Sequence, residues 1–86
     1  MKYKVGDKVK IKKDLRNVIN SVPNMNKWAG QVMTIIKVEQ RLGSYTMKED
    51  HGEGPVRGDG NGHWYWDDEM ISGICNPKSI AYGVLL

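Results

Sequence analysis

His51, His63 and Cys75 are the side chains here with the widest chemical reach, because imidazole and thiolate ligate zinc and can also pair as nucleophile and base. Glu49, Asp50, Glu53 and Asp59 lie near the two histidines in the sequence. His51 and His63 stand on opposite arms of one glycine-rich stretch, so closing that loop would bring them together. An ion held there would offset the entropy lost in ordering the loop. A structural zinc site built from His51, His63, Cys75 and Asp50 is therefore one reading. Polar side chains on a solvated loop are the other, since no C-x-x-C or H-x-x-x-H pair is present. No further cofactor is implied. Asp59-Gly60-Asn61-Gly62 opens like a calcium loop, but no acid follows at the fifth position and Met70 stands where a bidentate glutamate belongs. Gly58–Gly62 precedes a strand signal rather than a helix and lacks a following Lys-Ser/Thr, so the means of cradling phosphate is missing. Cys75 with either histidine is the one thiol pair available for catalysis, and Cys75-Asn76-Pro77 carries no surrounding motif. The expectation is a binding protein, not an enzyme.

The run His63-Trp64-Tyr65-Trp66-Asp67-Asp68-Glu69-Met70 combines aromatics with three consecutive acids. In an extended strand Trp64 and Trp66 share one face and Tyr65 takes the other. A chain without phenylalanine needs bulky aromatics in its core, which favours tryptophans inside and Tyr65 outside. Tyr65, Asp67, Asp68, Glu69 and Asp50 then form the candidate partner-binding face. A competing surface is basic: Lys8, Lys10, Lys12, Lys13 and Arg16 would attract phosphates in a salt-dependent way. Residues 1–48 carry a net +8 and residues 49–86 a net −5, so the overall +3 hides a strong polarity. Either the two halves neutralise each other or they address different parts of a large partner.

With 86 residues the chain is expected to form one domain over 1–86, its core spanning about 3–75 and a tail covering 76–86. A lone cysteine suits a reducing compartment, and no apolar run approaches the roughly 20 residues of a membrane helix. A cytoplasmic protein with no membrane association is expected. Val5, Val9 and Ile11 alternate with Lys8, Lys10 and Lys12, which predicts a half-buried strand after the Gly6-Asp7 turn. Residues 13–29 lose that period and read as a long loop with one helical turn over Met25–Trp28. Gln31–Glu39 and Tyr45–Lys48 predict a hairpin about Arg41–Ser44. Residues 49–62 hold five glycines and a proline, a long loop by composition. Trp64–Trp66 predicts a fourth strand, Asp67 caps a single turn over 68–70, and Ile71–Cys75 closes the sheet. The apolar end over 79–86 could pair on a sheet edge within the chain or with a second copy, giving a monomer or weak homodimer.

These elements make a mainly all-β fold, a small SH3-like five-stranded barrel with one short helical turn and a long glycine-rich loop. Val5-Gly6-Asp7-Lys8-Val9-Lys10-Ile11, Trp28-Ala29-Gly30-Gln31-Val32-Met33-Thr34-Ile35, Tyr45-Thr46-Met47-Lys48-Glu49-Asp50 and Trp64-Tyr65-Trp66-Asp67-Asp68-Glu69-Met70 together resemble small SH3-like proteins encoded by phages and prophages of Gram-positive bacteria. The resemblance spans residues 3–71. It implies a barrel and a phage accessory protein that binds and inhibits or modulates a host macromolecule. A Cas nuclease of a defence system, the target of anti-CRISPR inhibitors, is one such partner. Gly6-Asp7 and the Gly30-x-Val32 step also resemble KOW-type barrels, which implies nucleic-acid binding as the alternative.

Overall fold

Strict alternation makes β1 over Lys8–Ile11, where Val9 and Ile11 are fully buried and Lys8 and Lys10 face solvent. A computed structural model of the chain describes residues 2–54 and 62–75. Most of the loop considered for calcium or phosphate, with Asp59, and the apolar end over 79–86 lie outside the described residues. The remaining strands are β2 (Val32–Glu39), β3 (Ser44–Met47) and β4 (Ile71–Ile74). They form an open antiparallel sheet in the order β3-β2-β1-β4.

The sheet turns about β2. Its first half pairs with β1 through Val32, Met33 and Thr34, and its second half pairs with β3 from Ile35 to Glu39. A register shift between Ile35 and Lys37 separates the two halves, and such a bulge increases local twist. Glu49 accepts hydrogen bonds from the Thr34 amide at 2.7 Å and the Thr34 hydroxyl at 2.9 Å, supplying acceptors where the ladder changes partner. The curled sheet encloses Val9, Ile11, Met33, Ile35, Tyr45, Met47, Trp66 and Met70, all buried. Each such side chain contributes roughly 1.5–3 kcal/mol when fully buried.

A 3₁₀ helix over Pro23–Trp28 takes the place of the expected turn, with Pro23 in its first positions and Met25 buried beneath it. A second 3₁₀ helix, Asp68–Met70, is capped by Asp67, whose carboxylate accepts from the Glu69 amide at 3.0 Å. Both agree with the sequence reading. The fourth strand expected at Trp64–Trp66 does not form. Only one antiparallel bridge, Tyr45 to Trp66, joins that segment to β3. The reason is local: the Trp64 amide donates to the Asp50 carboxylate at 3.0 Å and is withdrawn from sheet pairing. Among the described residues the sheet therefore has four strands and stays open, where five in a closed barrel were expected. Among the described residues no helix is long and apolar enough to cross a membrane.

The arms of the glycine-rich loop meet at a tight neck, where the Gly52 amide donates to the Gly62 carbonyl at 2.5 Å. A Cβ on Gly54 would collide with the backbone of His63 and Trp64, whereas one on Gly73 in β4 would meet nothing within 4 Å. Gly54→Ala is expected to destabilise the fold by about 2 kcal/mol or more, because backbone cannot yield as a side chain can. Gly73→Ala is expected to be neutral or to stabilise by about 0.5 kcal/mol through the unfolded state. Urea unfolding followed by tryptophan fluorescence checks both, and equal effects would contradict the neck.

Candidate partner-docking face

Asp50, placed by the sequence reading among partner-facing acids and zinc ligands, is completely buried. One of its oxygens accepts from His63 Nδ1 at 2.8 Å, and the other accepts from the Trp66 indole at 2.8 Å and the Trp64 amide at 3.0 Å. With the carboxylate as acceptor, His63 carries a proton on Nδ1. Three donors satisfy the charge that burial would otherwise penalise by several kcal/mol. Asp50 is thus an internal tether for residues 63–66 and cannot itself touch a partner.

The residues named for zinc are not gathered into one site among the described residues. His51 and His63 do approach, with ring centroids 5.2 Å apart in an edge-on arrangement, as closing the loop predicts. However, both Asp50 oxygens and His63 Nδ1 are engaged by one another or by tryptophan N–H groups. Cys75 lies just beyond β4, its amide donating to the Lys8 carbonyl, at the edge of the sheet opposite β3. Among the described residues no three His, Cys, Asp or Glu side chains converge on a position that could hold a metal ion.

Tethering one strand face inward sends the other outward. Trp66 is fully buried, Trp64 packs half-buried against the core, and Tyr65 between them remains 42% exposed. The inward position expected of Trp66 and the exposure expected of Tyr65 are both found. Asp67 and Asp68 are half-buried and Glu69 is exposed. Asp68 accepts a 2.5 Å hydrogen bond from the Tyr45 hydroxyl, so one of its oxygens serves the fold. Burial and then this bond to Asp68 push the Tyr45 phenol up to about 12.

Two further segments complete the face. Leu15 is buried, and Ser21 Oγ donates to the Leu15 and Val18 carbonyls, cinching the 15–21 loop. Asn20 adopts a left-handed conformation at φ 75°, which asparagine tolerates better than most residues. Ile19 is consequently held 80% exposed. In the β2–β3 hairpin Gly43, at φ 66°, makes the turn and leaves Leu42 64% exposed. Asn20, Leu42, Ser44, Tyr65 and Asp67 line a groove of about 450 Å³. A second groove of about 470 Å³ shares Asn20 and Asp67 with it and is lined also by Lys12, Val18, Ile19 and Glu69. The sequence reading missed Ile19, Asn20, Leu42 and Ser44. Isolated apolar residues inside polar loop segments were the available signal.

Lys8 and Lys10 are exposed on β1, Lys12 is half-buried at the second groove, and Lys13 and Arg16 border another depression with Asn26. Arg16 forms two side-chain bonds with Asp14 at 2.9 and 3.0 Å, and these hold the Asp14 carboxyl down at about 2.

Asp50→Ala is expected to destabilise the protein by about 3–5 kcal/mol, because it strands two buried donors and frees the 63–66 segment. Trp66→Phe, which removes one donor and little volume, should cost less. Tyr45 gives a pH signature. Its folded pKa lies above the unfolded value near 10, so the unfolded chain loses that proton first as pH rises. The contribution of Tyr45 to stability is expected to be level below about pH 10 and to be lost between about 10 and 12, a slope that Tyr45→Phe should flatten; chemical denaturation across that range checks it.

No family model, curated protein or solved structure matches the chain, so what this face does has to follow from its own geometry and charge.

Proposed function

We propose that the chain is a non-catalytic binding module that docks a macromolecular partner on the face formed by Ile19, Leu42 and Tyr65. One observation carries this reading: three large apolar side chains from three separate segments stand exposed around two grooves that share Asp67 and Asn20. Apolar side chains ringed by polar groups are how protein interfaces are built, with the apolar centre supplying affinity and the rim supplying orientation. Asp67 and Glu69 make the rim acidic, which suits a basic surface.

The architecture proposed is a reduced SH3-like barrel. Residues 66–71 pass from the outer edge of β3 to β4 on the far edge of the sheet, so the chain nearly encircles its core. Joined to the resemblance to phage and prophage proteins, this favours an accessory protein acting in the bacterial cytoplasm on a host macromolecule. A defence nuclease such as a Cas enzyme, with a basic nucleic-acid channel, has the complementary charge. The second reading, a KOW-like nucleic-acid module, is favoured by Lys8 and Lys10 side by side on the exposed face of β1.

Capture of a host protein by purified chain, repeated with variants, separates the two. Tyr65→Ala and Leu42→Ser are each expected to weaken the captured complex by about tenfold or more, while Lys8→Glu with Lys10→Glu leaves it intact. Loss of a salt-sensitive gel shift on DNA or RNA in the lysine variant, with no effect of Tyr65→Ala, would instead establish the nucleic-acid reading.

A further inference from the structure

The groove between the β2–β3 hairpin and Tyr65 has the chemistry of a receptor for a guanidinium group, and we infer that it accepts an arginine side chain of the docked partner. This rests on the docking reading and deepens it by naming the group recognised.

Ser44 carries the inference. It is 5% exposed in the groove wall, and among the described residues its buried hydroxyl has no hydrogen-bond partner. An unsatisfied buried hydroxyl is unfavourable for the free protein and is relieved by a ligand that brings a donor. Asp67 adds charge to the same groove. One of its oxygens accepts from the Glu69 amide, and among the described residues the other accepts a long 3.4 Å bond from the Asn20 side-chain amide. An ionised carboxylate has about four acceptor positions, so capacity remains on both oxygens. Tyr65 and Leu42 supply an aromatic ring and an aliphatic wall.

Acceptors spread over a hydroxyl and a carboxylate, beside a ring, match a planar fork of five N–H donors better than a compact ammonium. The ring adds cation–π attraction, and the aliphatic wall suits the arginine stem. Lys12 is the cation lining the adjoining groove and is absent from the lining of this one. Asp67 lines both grooves and Glu69 lines the adjoining one, so two acids stand on this part of the surface against the one lysine.

The test is a titration of isotopically labelled protein with three capped tripeptides that carry arginine, lysine or citrulline between glycines. Saturable amide shifts centred on Asn20, Ser44, Tyr65 and Asp67 are expected with arginine, binding about fivefold weaker with lysine, and none with neutral citrulline. Asp67→Asn keeps the helix cap, since asparagine caps as well as aspartate, yet should weaken arginine binding by about tenfold. Ser44→Ala should also weaken it while leaving the melting temperature unchanged or higher, a combination that a purely structural serine would not give. Equal shifts with citrulline, shifts scattered over other surface acids, or no saturation with arginine would overturn the assignment. Should Tyr65→Ala abolish partner capture while the arginine peptide does not bind, the docking face stands and the guanidinium pocket falls. The reverse pattern, with arginine bound but capture indifferent to Tyr65, would retain the pocket and overturn the docking face.

Discussion

Burial of the Asp50 carboxylate is the constraint on which the rest of this molecule depends. A charge removed from water must find donors, and here these come from one short segment: the His63 ring, the Trp64 amide and the Trp66 indole. Both ends of that arrangement have structural consequences. On the Asp50 side it fixes where the chain leaves β3 and enters the glycine-rich loop. On the tryptophan side it sets which residues point inward, and the period of an extended chain does the rest. The same bonds remove the Trp64 amide from sheet pairing, which is why a single bridge stands where a full strand was expected.

The exposed face is a product of that internal arrangement. Trp66 anchored beneath the sheet requires Tyr65 to project outward, and Asp67 follows at the cap of the second 3₁₀ helix. The Tyr45 hydroxyl holds Asp68 from within, so this acidic run is divided between fold and surface: Asp68 is bonded to the core and Glu69 is exposed. Opposite them, the serine-stitched 15–21 loop and the glycine turn of the hairpin bring Ile19 and Leu42 to the same region. Hydrophobic side chains held in water by a left-handed asparagine and a left-handed glycine are unfavourable for the free protein. Such placement is intelligible when a partner covers them.

Charge follows a similar division. The lysine-rich first half and acid-rich second half meet in places, as in the Lys27–Glu53 ion pair. Exposed pairs of this sort contribute little to stability, about 0–1 kcal/mol each. Their distribution matters more for what the surface attracts. Arg16, prominent in the basic run, already has its guanidinium on Asp14, whereas Asp67 keeps unused acceptor positions in an apolar groove.

Period and turn chemistry in the sequence determined β1, the hairpin, the two helical turns and the outward position of Tyr65, because alternation and capping act over a few neighbouring residues. Val9 and Ile11 against Lys8 and Lys10, Pro23 at a helix start and Asp67 as a cap were all legible for that reason. Tertiary structure alone decided that Asp50 lies inside, that Cys75 stands apart from the histidines and that Ser44 shares a groove with Tyr65 and Asn20. Those facts depend on which segments meet across the sheet. A carboxylate in a list of residues looks the same whether it faces water or three N–H donors, and only the folded chain supplies the donors.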